Sequence, residues 1–373
     1  MPPALLIIAD DLTGANDTGV QFAKQGIRVI VSIHHEQPLE GLANDCQVLV
    51  VNTESRHLSL VDAYRRVVSV VRTGVALGIR QFYKKTDSTL RGNIGAELAA
   101  LIAATGEAQL FFAPAYPKLK RTTRQGIQFV DGIPLSQSTF AADLLNPLRQ
   151  DFIPALIAGQ TDIAAQLFAA PTIETAEHTI YVLDAQTDDD LRSAAQLLKD
   201  KKLLAGSAGF AEFLAEAMSV FAPPTPLPAL SLPMLVVNGS LHEVSLQQIA
   251  HAAQNGWAMF DLAADVSPAQ VVAALTTGER ALLTTSPRVV DDEFAARLAE
   301  LVSQIFEQIS VGTLFVFGGD TLAAIAEARG WTAFRPQTEF LPGMPLVEVC
   351  GQDALQLLTK AGGFGSVDLL AKI

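Results

Sequence analysis

Cysteine is nearly missing. The two thiols, Cys46 and Cys350, lie far apart with no CxxC pair, which excludes a disulfide framework and leaves reduced thiols in the core or on the surface. Charge is sparse too: Asp, Glu, Lys and Arg make up 17% of the chain against 49% hydrophobic residues, and mean hydropathy is +0.29. Apolar side chains therefore suffice for buried sheets. They come as short runs ("ALLIIA", "QVLVV", "LFVF") broken by Gly, Asp or Asn, and none approaches the roughly 18 residues of a membrane span. The opening "MPPALLIIADDLTG" carries no basic segment and meets two aspartates at once, unlike an export signal. A soluble, cytoplasmic protein with no membrane partner is expected. Positive charge is short as well: the formal net charge is −13, which argues against DNA or RNA as the main partner.

Several chemistries are missing by motif. The six histidines (His34, His35, His57, His178, His242, His251) form no HExxH and no Cys/His zinc spacing. Neither GxxxxGK(S/T) nor GxGxxG occurs, so the P-loop and the dinucleotide fingerprint are both absent. "AGSAG" around Ser207 lacks the glycine two positions before the serine that a nucleophile elbow needs, and reads as a helix N-terminal turn. "DDLTG" lacks the Asp-x-Asp-x-Thr spacing of an aspartyl phosphatase.

What is present is an alternation. Short β-branched runs alternate with longer amphipathic stretches, the pattern of α/β architecture with mostly parallel sheets. Strands are expected near 4–9, 27–33, 47–52, 80–84 and 109–113, and strand-helix pairs at 180–198 and 202–219. The clearest helix is 59–77, where Leu60, Ala63, Val67, Val68, Val71 and Val75 follow helical spacing. "FAPPTPLPALSLP", with five prolines in thirteen positions, cannot be regular helix or central strand. It divides the chain into an expected first domain at 1–220, a linker at 221–233 and a second α/β domain at 234–373, where "MLVVNGS", "WAMFDLA", "ALLTT", "TLFVF" and "LVEVC" restart the alternation. At 373 residues two domains are expected. Charge divides as well: residues 1–150 hold 15 Lys and Arg against 13 Asp and Glu, and residues 151–373 hold 11 against 26. The cations of the first part concentrate between Arg80 and Arg124, which suits a small anionic molecule.

Candidate chemistry sits where strands end, because groups there face the crevice in which open α/β sheets bind ligands. "LLIIADDLTGANDTG" places Asp10 and Asp11 after the first strand, with a helix expected to open around Asn16 or Asp17; a simple turn cap is the structural alternative. "KKTDSTLRGN" follows another strand. Lys85 and Arg91 can hold a carboxylate or phosphate, Asp87 can accept a hydroxyl proton, and Ser88 with Asn93 can bind sugar-like hydroxyls. An interior has no use for such a cluster, so a ligand-facing or solvated loop is expected. "NTESRH" puts Ser55 and Arg56 on the same rim, and "APAYPKLKRTTRQGIQFVDGIPL" reads as a proline-shaped loop running into a hairpin with Arg121 and Thr122 exposed. In the second domain Gly318, Gly319, Asp320 and Thr321, Gly239 with Ser240, and Lys360 with Gly362, Gly363 and Gly365 lie in three turns. Glycines there let backbone N–H groups and a helix dipole meet phosphates, and the three together describe a nucleotide pocket.

"IADDLTGANDTG", "KKTDSTLRGNIGAEL", "PAYPKLKRTTRQG..FVDGIPL", "GSAG", "NGS", "GGDT" and "TKAGGFG", in that order, resemble the four-carbon acid-sugar kinases, which phosphorylate threonate, erythronate or 3-oxo-tetronate. The resemblance covers nearly the whole chain. It implies a sugar-acid-binding first domain, an ATP-binding second domain, and reaction in the cleft between them. By position it assigns Asp10, Asp11, Arg56, Lys85, Thr86, Asp87, Ser88 and Arg91 to the sugar acid, with Asp11 and Asp87 as catalytic carboxylates. Ser240, Gly318, Gly319, Asp320, Thr321, Lys360, Gly362 and Gly363 fall to ATP, and Mg²⁺ comes with the nucleotide rather than in a protein-built metal site. Phosphate charge in the acidic second domain would then be met by backbone N–H groups, Mg²⁺ and a few cations such as Lys360. The overall likeness favours D-threonate as substrate, with D-erythronate and 3-oxo-tetronate as alternatives. Two departures stand out: Lys120 where the family has a small residue before "RTT", and a chain trimmed mainly between 250 and 315. From other classes, a two-lobed binding protein for a small acid and a nicotinamide-dependent hydroxy-acid dehydrogenase stay open. A homodimer is the default expectation for association.

Overall fold

The computed structural model describes residues 2–138, 140, 150–169, 177–218, 227–285, 294–352 and 354–373. Contacts divide the chain into two compact units, Met1–Pro224 and Thr225–Ile373. In the first, the apolar runs form a parallel sheet in the order β2 (Val29–Ser32), β3 (Val48–Asn52), β1 (Leu5–Ala9), β4 (Gln81–Lys85), β11 (Leu203–Gly206), β5 (Gln109–Ala113), β10 (Thr179–Val182) and β9 (Ala164–Leu167). Strands covered on both faces need apolar side chains on both, and all five residues of β1 and of β3 are buried. Helices α1 (Leu12–Ala23), α2 (Leu39–Asn44), α3 (Leu60–Ala76), α4 (Ile94–Thr105), α5 (Ile153–Ala158), α6 (Asp188–Leu198) and α7 (Ala208–Met218) connect them.

Helix α3 starts where Ser59 caps it, accepting from the Asp62 N–H at 3.1 Å. Its buried face is Ala63, Val67, Val70, Val71 and Gly74; Leu60 and Val75, placed on that face by spacing alone, are exposed. Gly74 sets the distance to the sheet, since a Cβ there would come within 2.5 Å of Leu6 and 3.0 Å of Phe82.

The connection from β1 through α1 leads outward to β2, whereas the connection from β3 through α3 passes back across β1 to β4. Such a reversal opens a crevice at the carboxyl ends of the strands. The proline-shaped stretch forms the expected antiparallel turn structure, β6 (Arg121–Arg124), β7 (Ile127–Val130) and β8 (Ile133–Pro134).

The second unit orders its strands β13 (Ala258–Asp261), β14 (Arg280–Thr284), β12 (Met234–Asn238), β15 (Thr313–Phe317), β18 (Gln356–Lys360), β17 (Met344–Val349) and β16 (Ala333–Leu341). The first five are parallel and the last two antiparallel additions. Helices α8 (Glu243–Gln254), α9 (Pro268–Gly278), α10 (Phe294–Phe306) and α11 (Gly319–Ala328) complete it. Its core gathers Met234, Val236, Trp257, Leu282, Phe315, Phe317 and Met344. Part of the proline-rich stretch, 221–226, lies outside the described residues; 227–233 carry no helix or strand. No helix among the described residues is long and apolar enough to cross a membrane.

Candidate functional site

At the end of β1 the chain turns directly into a helix. Asp11 is its N-cap in extended backbone (φ −145°, ψ 159°), accepting from the Gly14 N–H at 3.0 Å. The helix therefore opens one turn earlier than Asn16 or Asp17, because the capped amide lets "LTGAN" be helical already. The cap and site readings of Asp11 are compatible, for Arg56, from the loop after β3, reaches the same carboxylate: its Nη1 lies 3.0 Å from Asp11 Oδ2 and its Nη2 2.8 Å from Oδ1, while its Nε donates to Asp10 Oδ2 at 2.7 Å. Burial would push the Asp10 carboxyl up, but Arg56, with Lys84 and Lys85, more than offsets this and holds it at about 2.

The cluster in "KKTDSTLRGN" is buried rather than solvated, which corrects the expectation from composition: Lys84, Lys85, Thr86, Asp87, Ser88 and Asn93 are all buried. The interior accepts it because most charges are paired. Lys84 lies 3.1 Å from Glu97 of α4, which also accepts from the Ser55 hydroxyl; burial pushes the Glu97 carboxyl up, with Lys84 opposing. Asp87 Oδ2 accepts from Thr89 Oγ1 and Arg91 Nε at 2.5 Å each. Burial opposes the Asp87 charge, yet Arg91 and Arg56 hold its carboxyl well below the usual range. The Asn93 amide nitrogen donates to the Ser55 and Leu58 carbonyls at 2.9 and 3.0 Å, tying the start of α4 to the loop after β3.

Lys85 is different. Its ammonium donates to its neighbour's carbonyl, Thr86 O, at 2.7 Å, and no carboxylate among the described residues lies within 4.0 Å of it. Both Lys85 Nζ and Asp11 Oδ1 crowd Gly14, where a Cβ would come within 2.9 Å of the first and 2.5 Å of the second. A larger residue there would push both groups from these positions.

Arg121 and Thr122, expected exposed, are not: Arg121 is buried, with Nη1 donating to Ser88 Oγ at 3.1 Å, and Thr122 is half-buried. The loop is drawn in by Lys118, 2.7 Å from Glu212 of α7, which also holds Lys24 of the segment after α1 at 2.8 Å. Helix α1 brings further groups that the motif reading passed over. Every residue of it is buried, yet the hydroxyls of Thr13 and Thr18 and both amide atoms of Asn16 make no hydrogen bond among the described residues, and neither do Thr86 Oγ1 and Asp10 Oδ1. The signal was available: polar residues at 13, 16, 17, 18 and 21 ring a helix that has no solvent face.

In the second unit the turns after β12, β15 and β18 meet, because β15 lies between the other two strands. Gly318 (φ +107°) caps α11 and donates its N–H to Lys360 O at 3.0 Å. A Cβ on Gly239 would strike the Thr321 side chain, one on Gly362 would meet Ser240 Oγ and come within 2.9 Å of His242 Cβ, and one on Gly363 would lie 3.0 Å from His242 Nε2. Ser240, Gly318, Gly319, Thr321, Gly362 and Gly363 are thus brought together as backbone-lined turns, with Asp320 exposed in the first turn of α11. Lys360 is turned inward: wholly buried, it donates to Ser245 Oγ, Ala361 O and Gly362 O at 3.0, 3.2 and 3.3 Å. Turns of this kind, opening on a helix N-terminus, suit a phosphate chain. Among the described residues no group of three or more His, Cys, Asp or Glu is placed to hold a metal ion, whereas Mg²⁺ carried by a nucleotide needs only one or two protein oxygens.

Two protein families match the chain, one to each unit: a sugar-binding N-terminal domain over residues 5–214 and a nucleotide-binding C-terminal domain over residues 235–370. A D-threonate kinase of Salmonella typhimurium is 34% identical, covering 97% of this chain and 95% of its own length, and one of Bordetella bronchiseptica is 33% identical, covering 99% and 96%. Proteins named D-erythronate kinase and 3-oxo-tetronate kinase match at lower identity. The fold is shared with a solved Salmonella typhimurium LT2 protein at a TM-score of 0.78 and 22% identity, over 99% of this chain and 98% of that one. The chain belongs to the four-carbon acid-sugar kinase family.

Proposed function

We propose that the protein is an ATP-dependent kinase that transfers the γ-phosphoryl group to the 4-hydroxyl of D-threonate. The observation that carries the sugar-acid part is Lys85, a buried ammonium with no carboxylate within 4.0 Å among the described residues, together with the Thr13, Thr18 and Thr86 hydroxyls, which make no hydrogen bond among them. A substrate with one carboxylate and several hydroxyls supplies what both lack. Arg56 and Arg91 are already spent on Asp10, Asp11 and Asp87, which favours Lys85 as the carboxylate's partner. Thr13, Thr18, Thr86 and Ser88 then serve the hydroxyls.

Asp11 orients the 4-hydroxyl and receives its proton as the oxygen bonds to the γ-phosphorus and the bond to ADP breaks. Asp87, whose Oδ2 takes two short hydrogen bonds, anchors Arg91. Positioning dominates over base strength in a loose phosphoryl-transfer transition state. Backbone N–H groups of the turns after β12, β15 and β18, above all those of 319–321 in the first turn of α11 and of 362–363, hold the phosphates, and Mg²⁺ arriving with ATP would supply charge neutralisation there. The binding-protein and dehydrogenase alternatives fall with membership of a kinase family.

The test is ADP release measured over D-threonate, D-erythronate, L-threonate and 3-oxo-tetronate. D-Threonate should give the highest kcat/KM, and Lys85→Met should raise its KM by about tenfold or more, the size of a lost charge-assisted hydrogen bond. Turnover of none of these acids, or an unchanged KM in the variant, defeats the assignment; preference for D-erythronate or 3-oxo-tetronate moves it to that substrate.

A further inference from the structure

We propose that Lys360 is a positioning residue of the nucleotide site: its ammonium clamps the 361–363 turn to α8 and sets an uncompensated positive charge beneath the turns that meet the triphosphate. This rests on the nucleotide reading of the second unit.

The clamp is visible in its contacts. Ser245, in the first turn of α8, accepts from Lys360 Nζ at 3.0 Å and donates its own hydroxyl to Gly362 O at 2.7 Å. The ammonium adds Ala361 O and Gly362 O, and its main-chain carbonyl takes the Gly318 N–H at 3.0 Å. One residue thus joins the turn after β18, the start of α8 and the glycine that opens α11. Without it the Gly362 and Ala361 carbonyls would lose their shared donor, and the Gly363 N–H would lose a fixed direction.

The charge follows from what surrounds it. Ser245 from α8, the Phe317 ring from β15 at 4.1 Å and two carbonyls of its own turn face the ammonium. None is charged, and no carboxylate among the described residues lies within 4.0 Å. The titratable group in the cluster is His242, whose ring lies against Gly363, while Glu243 of the same α8 turn and Asp320 of α11 are exposed. Burial alone pushes the Lys360 ammonium down to about 7. A polyanion bound above it favours the protonated form, so by linkage nucleotide binding takes up protons around and above that pH. Affinity is then highest while Lys360 is protonated and falls as pH rises through the free-state value.

Calorimetric titration of MgATP into the full chain at pH 6.5 and 8.5, in buffers of different ionisation enthalpy, tests this. The unaltered protein should bind about threefold to tenfold more weakly at pH 8.5 and take up protons there. Lys360→Met should bind weakly at both pH values with no uptake. Lys360→Arg, charged throughout, should lose the pH dependence while keeping measurable affinity, and so reports even where the methionine variant fails to fold. A pH-independent affinity without proton uptake in the unaltered protein overturns the role of Lys360, as does undiminished binding by a folded Lys360→Met. Undiminished binding by Gly363→Val overturns the nucleotide site itself, and the role with it.

Discussion

Asp10 keeps its charge in the interior because Arg56 lies 2.7 Å away, with Lys84 and Lys85 adding to the field. Its carboxyl falls from 3.8 to about 2 on folding, so the folded state releases that proton more readily than the unfolded chain. A depressed carboxyl contributes stability that is fully present above the unfolded value and is lost as pH falls through the folded one; the window here is about pH 4 down to 2, and the contribution is about 2 kcal/mol. Asp10→Asn should flatten the acid limb of the urea-midpoint profile across that window, and an unchanged limb would refute the coupling. The placement of Asp10, Asp11, Arg56 and Lys85 at or just after strand ends was legible in the sequence because the apolar run of each strand is easily recognised. Two features hid. Lys84 looks like Lys85 in the sequence, and only β-strand alternation, which sends neighbouring side chains to opposite faces, separates the lysine that pairs with Glu97 from the one that does not. Arg121 read as exposed because its neighbours Lys118, Lys120 and Arg124 are charged, whereas the Glu212 ion pairs that draw the loop inward span 94 residues of chain.

At the scale of elements, α6 shows local chemistry fixing a boundary. Thr187 accepts from the Asp190 N–H at 3.2 Å while Asp190 accepts from the Thr187 N–H at 2.9 Å, a reciprocal capping box at the start of "DDDLRSAAQLL". Thr187→Ala should cost about 1 kcal/mol and lower the urea midpoint of the first unit; a midpoint within error of the unaltered protein would show that the helix start is held by packing instead. Signals of this strength made α3 and α6 readable, and runs buried on both faces did the same for β1, β3, β5 and β15. β16 escaped because Pro336 argues against a strand interior, and in the structure a register shift lies between Pro336 and Thr338. β18 escaped because "QLLTK" is too short for periodicity to distinguish from loop. The α1 boundary was misplaced by a turn because "LTGAN" has weak helix formers, and only the cap contact of Asp11 with Gly14 makes the turn helical.

Across the whole molecule, each unit has its own run of strands, core and set of strand-end turns, and cations concentrate in the first: residues 1–224 hold 19 Lys and Arg against 24 Asp and Glu, residues 225–373 hold 7 against 15. The first holds the cations that suit a small acid; the second, poor in cations, offers phosphates backbone N–H groups and a single enclosed ammonium. Ligands that bind only the native state stabilise it by RT ln(1 + [L]/Kd), about 2.7 kcal/mol at a hundredfold excess over Kd, and amides that exchange through unfolding of the liganded unit slow accordingly, by about a hundredfold. With D-threonate alone, hydrogen exchange should slow in the strands at 5–9, 48–52 and 81–85 and in the first turn of α1. With MgATP alone, slowing should appear at 234–238, 313–317 and 356–363. The two ligands address different parts of the chain, so the pattern of protection separates the roles without any turnover. Protection of 5–9 and 81–85 by MgATP alone, with 313–317 and 356–363 unaffected, would reverse the assignment, placing the triphosphate against Lys85 and leaving the glycine turns without a ligand.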